Sequence, residues 1–181
     1  MDQPTIPTAR LILRPFRPDD AAAVQQLAGE REIADTTLNI PHPYEDGIAE
    51  AWLATHGPAF EDGSLAVFAI VLRESGQLVG AIGLEIDRRF KLAELGYWIG
   101  KPFWNRGYAT EAAVAIIRYG FTSLELNRIA SRHFTRNPAS GRVMQKAGMQ
   151  HEGTARQSMI KWGKYEDLQL YAILREDWSG A

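Results

Sequence analysis

The chain contains no cysteine among its 181 residues. This absence excludes a disulfide framework, a thiolate zinc site and any covalent cysteine intermediate. The four histidines, His42, His56, His133 and His151, are scattered and lack the i, i+4 spacing of a helical metal-binding pair. We therefore expect no metal site.

Long apolar runs are also missing. The longest aliphatic run, Ala112 to Ile117, is far too short to cross a bilayer. The opening Met1-Asp2-Gln3-Pro4 has no basic stretch followed by an apolar one, which is the pattern of a signal peptide. We therefore expect a cytoplasmic protein without a membrane partner.

Neither sign of charge dominates, because 20 basic and 22 acidic side chains are mixed along the chain and give a net charge of −2. Nucleic-acid-binding proteins usually carry a basic face or stripe, so no nucleic-acid partner is expected. The length and the 45% apolar content fit one domain, residues 1–181, with one substantial core. No linker or internal repeat divides the chain.

The hydrophobic periodicity and the turn residues predict the element order βααβββαβαββ. This order is typical of a mixed α/β sheet, and not of a doubly wound fold or an all-β sandwich. The predicted strands cover residues 10–14, 65–72, 78–86, 92–99, 127–134, 151–159 and 168–174. The predicted helices cover 18–29 and 44–56, a stretch from Tyr108, and a stretch capped by Asn137 and ended by Gly148.

The turn between the strand at 92–99 and the helix from Tyr108 carries the most chemical information. Such a turn presents main-chain N–H groups beside the positive end of a helix dipole, which favours phosphate binding. Gly107 permits close approach of the backbone, Ala109 keeps the opening small, and Arg106 adds positive charge. An ordinary strand-to-helix turn has the same spacing. The segment lacks both a P-loop ending and a three-glycine fingerprint, which argues against nucleoside triphosphates and nicotinamide cofactors.

Four segments in order resemble the GNAT superfamily of acyl-CoA-dependent N-acyltransferases, most closely its ribosomal-protein-alanine N-acetyltransferase (RimJ/RimL-type) branch. They are Thr-Ala-Arg-Leu-Ile-Leu-Arg-Pro at 8–15, Glu-Leu-Gly-Tyr-Trp-Ile at 94–99, Arg-Gly-Tyr-Ala-Thr-Glu-Ala at 106–112, and residues 137–149 from Asn-Pro-Ala-Ser to Lys-Ala-Gly-Met. The resemblance spans nearly the whole chain. It implies a GNAT-type, largely antiparallel sheet that splays between the fourth and fifth predicted strands.

The resemblance also implies acetyl-CoA as co-substrate and a set of residues that hold it. The strand ending at Trp98 and Ile99 would pair with pantetheine, and Asn137 and Ser140 would face the cofactor from the helix beyond the splay. The cofactor diphosphate would lie on the loop formed by Trp104, Asn105, Arg106, Gly107, Tyr108, Ala109 and Thr110.

Two positions depart from the family pattern. Trp104 replaces a polar residue, which removes a side-chain contact but leaves the main-chain loop intact. Met144 lies where many members carry the tyrosine that protonates the leaving thiolate. Ser140 is the nearest match for that acid in this branch, although it could equally serve only to support the first turn of its helix.

Because there is no cysteine, direct attack of the amine on the thioester is the simplest route. A Lys ammonium has a reference pKa of ~10.4 and an α-amine one of ~7.7–8.0, so an α-amine needs less help to lose its proton. Glu94 is the candidate base, directly or through a water, and Glu85 is the reserve. The alternative for Glu94 is a structural ion pair with an arginine. Main-chain N–H groups near Trp98 and Ile99 could stabilise the oxyanion.

Three functions follow from the resemblance. The leading one is N-acetylation of a protein N-terminus or a peptide-like amine. Trp162 would then line the acceptor pocket. Trp52 is more typical of a core residue, and His133 is a weaker candidate for a catalytic residue. The others are acetylation of a small molecule (an amino acid, polyamine or antibiotic) and acyl-CoA binding without turnover. Loops 35–43 and 159–165 would decide the acceptor. A homodimer is compatible with the sequence.

Overall fold

The computed structural model describes residues 3–180, so Met1, Asp2 and Ala181 of the predicted domain lie outside the described residues. The described part is a mixed α/β fold, which confirms the predicted class. Its helices are α1 (Ala21–Ala28), α2 (Arg31–Thr36), α3 (Ile48–Ala54), α4 (His56–Glu61), α5 (Tyr108–Thr122) and α6 (Pro138–Lys146). Its strands are β1 (Ile6–Pro7), β2 (Leu11–Arg14), β3 (Leu65–Leu72), β4 (Leu78–Asp87), β5 (Leu92–Ile99), β6 (Arg128–Phe134), β7 (Gln150–Lys161) and β8 (Lys164–Leu174).

The differences from the predicted order lie in the first third of the chain. Strand β1 has two residues, too few for any periodicity, and pairs with the edge of β2. Helix α2 begins before the predicted 35–43 loop and ends at Thr36, inside it. The helix predicted at 44–56 begins only at Ile48, because Gly47 precedes it in a left-handed conformation (φ 86°), and Thr55 separates α3 from α4.

The sheet has the strand order β1-β2-β3-β4-β5-β6-β8-β7, and every neighbouring pair is antiparallel except β5 and β6. The parallel β5–β6 pairing runs only from Leu92–Arg128 to Glu94–Ala130. At the next step the hydroxyl of Ser131 donates to the carbonyl oxygen of Leu95 at 2.8 Å, and no further pairing follows among the described residues. The predicted splay is therefore confirmed. We call the gap beyond Leu95 and Ser131 the cleft.

Helices cover both faces of the sheet. Helix α5 buries Ala113, Ile116, Ile117 and Phe121 against one face, as its predicted spacing requires. The larger of these side chains, Ile116, Ile117 and Phe121, each contribute roughly 1.5–3 kcal/mol of hydrophobic free energy. Helices α1 to α3 pack on the opposite face, where the indole of Trp98 is buried. This packing holds the N-terminus of α5 just beyond the end of β5.

Candidate active site

The main chain of β5 alternates between its neighbour β4 and the cleft. The N–H of Gly100 donates to the carbonyl of Val79 at 2.8 Å, which sets the phase of the antiparallel ladder. The main-chain N–H and C=O of Trp98 point in the same direction as the Gly100 N–H, toward β4. Those of Tyr97 and Ile99 point the opposite way, so their main-chain N–H groups face the cleft.

The turn after β5 leaves its amides unbonded. Among the described residues, the main-chain N–H groups of residues 105 to 110 have no hydrogen-bond partner, and Gly107 caps α5 without a side-chain hydrogen bond. Asn105 (φ 60°) and Gly107 (φ 79°) both adopt left-handed conformations. Consecutive amides in such turns form an anion-binding concavity, here at the positive end of a 15-residue helix. The geometry suits a diphosphate.

Arg10 and Glu111 anchor this turn from outside. The carboxylate of Glu111 accepts from the Thr8 hydroxyl at 2.6 Å and from the Arg10 N–H and Nε at 2.7 Å. Arg10 also donates through Nη1 to the carbonyl of Arg106 at 2.9 Å, and its Cζ lies 4.9 Å from the Tyr108 ring centroid. Burial alone raises the pKa of Glu111, but these hydrogen bonds outweigh it and hold that pKa below its ordinary value.

Trp104 has a structural contact that compensates for the missing polar residue. Its indole Nε1 donates to the carbonyl of Ile99 at 2.6 Å, although 39% of the residue is exposed. This bond ties the start of the loop to the end of β5. Of the predicted cofactor residues, Trp104 therefore shapes the loop, and Arg106, with an exposed side chain, adds positive charge near it.

Helix α6 places Ser140 beside β5. Asn137 caps the helix as predicted, because its side-chain oxygen accepts from the Ser140 N–H at 3.4 Å. The Ser140 hydroxyl lies 2.7 Å from the Oη of Tyr97. Burial raises the pKa of Tyr97 to about 12, and the hydrogen bond with Ser140 partly opposes that shift. Met144 is buried in the core and takes no part in this contact.

Glu94 lies at the point where β5 and β6 separate. Its Oε1 is 2.7 Å from the Nε of Arg132 on β6, and the Glu94 side chain is 43% exposed. The alternative in which Glu94 pairs with an arginine is therefore observed, while its role as a base stays a prediction. Glu85 lies directly opposite Glu94 in the β4–β5 register.

A glycine leaves a recess beside this carboxylate pair. Gly83 and Gly96 are directly paired across β4 and β5, one step further along the face that carries Glu85 and Glu94. A Cβ on Gly96 would meet no atom within 4 Å. The missing side chain of Gly96 therefore leaves open space on the face opposite α5 and α6, whereas a Cβ on Gly83 would lie 2.9 Å from the Cγ2 of Val67.

A salt-bridge network joins the two halves of the splayed sheet. Arg136, just after β6, contacts the carboxylate of Asp35 on α2 at 2.8 Å and that of Glu166 on β8 at 2.9 Å. It also donates to the main-chain carbonyl of Asp35 at 2.7 Å. Because α2 packs on the β1–β5 half and Glu166 belongs to the β6–β8 half, Arg136 spans the diverging end of the cleft.

The β7–β8 hairpin supplies a second connection. The buried Lys161 ammonium donates to the carbonyls of Leu38 at 3.1 Å and Ile40 at 3.4 Å. Burial lowers the pKa of Lys161, Asp35 opposes that shift and Arg136 adds to it. Trp162 follows at the hairpin turn, 47% exposed and 5.5 Å from the guanidinium of Arg31. We call these contacts, with those of Arg136, the α2–hairpin bridge. The two predicted acceptor loops thus meet, and Trp162 lies at the turn of the second one, where its role in the acceptor pocket stays a prediction.

The remaining candidates belong to the core. Trp52 packs edge-on against Phe16 and His56, with ring centroids 5.2 and 4.4 Å away. His133 is buried and bonds through Nδ1 to the carbonyl of Phe134 at 2.8 Å, while Nε2 lies against Gly141. Within residues 3–180 no three His, Asp or Glu side chains are arranged to hold a metal ion. No helix in that range is both long and apolar enough to cross a bilayer.

Sequence reasoning missed Tyr97, Arg132 and the α2–hairpin bridge. Tyr97 stood inside a recognised motif, but nothing in the pattern shows that its side chain reaches α6. Arg132 could have been found, because the parallel pairing of β5 and β6 brings its side chain near Glu94. The bridge joins residues as far apart as Asp35 and Arg136, and no local signal links them.

The splayed mixed sheet and the free amides at the N-terminus of α5 are the features that the resemblance implied for an acyl-CoA-dependent transferase. Residues 10–150 match the acetyltransferase (GNAT) domain family. The chain therefore belongs to the GNAT acetyltransferases and is an N-acetyltransferase, as the sequence predicted.

Named relatives agree with this assignment. The chain is 32% identical over 174 residues to the uncharacterized N-acetyltransferase YoaA of Bacillus subtilis, covering 95% of this chain and 97% of YoaA. It is 27% identical over 143 residues to the [ribosomal protein uS5]-alanine N-acetyltransferase of Escherichia coli, covering 76% and 72% of the two chains. It shares its fold with a spermidine N-acetyltransferase of Vibrio cholerae solved with CoA and spermine (TM-score 0.80, 22% identity, 94% and 98% covered).

Proposed function

We propose that this enzyme transfers the acetyl group of acetyl-CoA to the α-amine of a protein N-terminus or peptide-like acceptor by direct attack. Coenzyme A carries a diphosphate and an extended pantetheine arm with two amides. The free amides of residues 105 to 110 fit the diphosphate, and the cleft-facing main-chain N–H groups of Tyr97 and Ile99 fit the arm. Acetyl-CoA supplies the thioester, and the chain binds it and orients the acceptor.

An α-amine suits the groups available to remove a proton. With a reference pKa of ~7.7–8.0, an α-amine is already partly neutral near pH 7, whereas a Lys side chain at ~10.4 is almost wholly charged. Glu94 is half-exposed and ion-paired, so it suits proton acceptance through water more than the deprotonation of a lysine. The demand on a base is correspondingly small.

The α2–hairpin bridge restricts the shape of the acceptor. Because Arg136 and Lys161 join the two halves of the sheet over the diverging end, an acceptor must pass beside that bridge to reach the cleft. A slender acceptor with its amine at the end satisfies this restriction. The recess at Gly96 leaves room for a small side chain next to the amine.

The choice of acceptor rests on one observation, namely which carboxylates around the cleft are already ion-paired with arginines. Asp35 and Glu166 both pair with Arg136, and Glu94 pairs with Arg132, while Glu85, opposite Glu94, has no ion pair among the described residues. A polyamine carries several positive charges and needs several carboxylates without such partners. The paired carboxylates and the surrounding arginines favour an acceptor with a single amine, as in a peptide N-terminus. The relative that modifies an alanine of ribosomal protein uS5 supports the same choice.

A thiol-release assay with acetyl-CoA tests the proposal. The acceptors are a short peptide with a free N-terminus, the same peptide with a blocked N-terminus and one lysine, a free amino acid, and spermidine. We expect the highest kcat/KM for the free N-terminus, with the product identified by mass spectrometry. A higher kcat/KM for spermidine or for the free amino acid would refute the assignment, and CoA binding without turnover would do the same.

The charge argument has its own test. Arg136→Ala releases the carboxylates of Asp35 and Glu166, and exposed charge pairs contribute up to about 1 kcal/mol each. We therefore expect the spermidine-to-peptide ratio of kcat/KM to rise by up to about fivefold for each released carboxylate that spermidine engages. Arg89→Ala, on the β4–β5 turn and away from the bridge, is the control and should leave the ratio unchanged. An unchanged ratio in Arg136→Ala would contradict the charge argument.

A further inference from the structure

Tyr97 and Ser140 form a contact that none of the sequence motifs required. Tyr97 lies on β5, and Ser140 lies in the first turn of α6, on the other side of the splay. The Tyr97 Oη is 2.7 Å from the Ser140 Oγ and 3.1 Å from the Ser140 carbonyl oxygen. The carbonyl oxygen can only accept from the phenol, whereas either hydroxyl can donate in the Oη–Oγ contact, and both contacts of the phenol are with Ser140.

The position of this pair follows from the ladder of β5. The main chain of Tyr97 faces the cleft, while its ring packs with the core under α5 and α6. The hydroxyl therefore meets Ser140 on the side of the sheet that α5 and α6 cover. Asn137 fixes the main chain of Ser140 from the other direction, through the bond from the Ser140 N–H to its side chain. Ser140 is thus held by two partners, one on its backbone and one on its side chain.

We propose that Tyr97 is a positioning residue that donates to the Ser140 hydroxyl and so directs the serine proton toward the leaving sulfur of the thioester. A serine hydroxyl has one proton and accepts through its lone pairs. Once the phenol donates to Oγ, the serine proton must point elsewhere. The raised pKa of Tyr97 keeps the phenol protonated, and therefore a donor, throughout the neutral range.

The inference rests on the proposed use of acetyl-CoA, and its step balances as follows. The lone pair of the acceptor nitrogen forms the new C–N bond, and the C–S bond breaks with its electron pair on sulfur. The Ser140 O–H donates a hydrogen bond to this sulfur as its negative charge develops. The sulfur then takes a proton from solvent, and the proton lost by nitrogen goes to water. The N-terminal end of α6, a nine-residue helix, adds favourable potential at the same place.

A double-mutant cycle tests this role with the full chain, acetyl-CoA and the best acceptor from the assay panel. Tyr97→Phe keeps the ring and removes the donor, and we expect kcat to fall about 10-fold with KM for acetyl-CoA changed less than about twofold. Ser140→Ala removes the donor to sulfur, with an expected 10- to 100-fold loss of kcat, in the range for hydrogen bonds to charged groups. The double variant should be no slower than Ser140→Ala, because both changes act on one proton.

Tyr171→Phe is the matched control. Tyr171 is also buried, and its hydroxyl also bonds to α6, through the Nε2 of Gln145 at 3.2 Å, but away from Ser140. It should lower the melting temperature about as much as Tyr97→Phe and leave kcat unchanged. The positioning role is overturned if Tyr97→Phe retains full kcat, if its loss multiplies with that of Ser140→Ala, or if Tyr171→Phe lowers kcat equally. The test can use any amine that the enzyme acetylates. It therefore remains valid even if the proposed acceptor is wrong.

Discussion

Arg10 and Glu111, 101 positions apart in the sequence, form a two-point contact that joins the segment before β2 to the first turn of α5. The same guanidinium binds the carbonyl of Arg106, so the contact also fixes the turn whose amides are free. The N-terminal segment thus acts as the outer support of the anion-binding loop.

Loss of this support should weaken CoA binding. Arg10→Ala removes the side-chain bonds to Glu111 and Arg106 and keeps the main-chain N–H bond to Glu111, and we expect the dissociation constant for CoA to rise about fivefold to tenfold, equivalent to roughly 1–1.4 kcal/mol. Isothermal titration measures it. The control is Arg73→Ala, which also loses a bond to the 8–10 segment, to the Thr8 carbonyl at 3.1 Å, but does not touch the loop. Equal effects in the two variants would contradict a specific role for Arg10.

Gly107 offers a second test of the loop. It caps α5 at φ 79°, where a side chain is strained by about 1–2 kcal/mol, and a bulky residue would also crowd the amide concavity. Gly107→Leu should weaken CoA binding by at least 10-fold. Gly47 caps α3 with φ 86° and has open space around it, so Gly47→Leu carries the same backbone strain without the concavity. If the two variants bind CoA equally well, the diphosphate does not lie on this loop.

The role of Glu94 can be separated from its ion pair. If Glu94 accepts a proton, Glu94→Gln should lower kcat/KM about 10-fold or more at pH 7 and much less at pH 9, where more acceptor amine is already neutral. Arg132→Gln breaks the same ion pair and keeps the carboxylate. Its pH profile should therefore stay close to that of the original enzyme.

The two variants together distinguish a catalytic base from a purely structural ion pair. If the ion pair is only structural, Glu94→Gln and Arg132→Gln should lower kcat/KM equally, with unchanged pH dependence in both. Glu85→Gln, directly opposite Glu94, tests the reserve candidate in the same assay.

Because His56 is buried, we expect the protein to lose folding stability at acidic pH. Burial lowers the pKa of His56 from 6.5 to about 4, and neither ring nitrogen has a hydrogen-bond partner among the described residues. Because the unfolded chain takes up the proton first, stability is full above pH 6.5 and falls as the pH drops toward 4. At about 1.36 kcal/mol per pKa unit, the loss approaches about 3 kcal/mol.

Chemical denaturation between pH 4 and 8 measures this effect. His56→Phe keeps an aromatic ring beside Phe16 and Trp52 and should flatten the acid side of the stability curve. His42→Gln changes an exposed histidine and should leave the curve as it is. An unaltered acid slope in His56→Phe would show that other groups cause the loss.

The sequence by itself determined the class of the sheet, the helix that follows β5, the Asn137 cap and the turn with free amides. These features depend on local rules: residue periodicity, capping and turn residues act over a few positions, so a linear reading recovers them. The β7–β8 turn at Trp162 and Gly163 followed from the same kind of signal.

Only the tertiary structure decided which side chains meet across the splay. Tyr97 reaches Ser140, Arg132 reaches Glu94, and Arg136 joins Asp35 to Glu166 because strands β5 and β6 diverge at one defined residue pair. The point of divergence depends on how α5 and α6 pack beneath the sheet, and that packing depends on many contacts between residues far apart in the sequence. No short segment encodes those contacts, so only the tertiary structure defines the site.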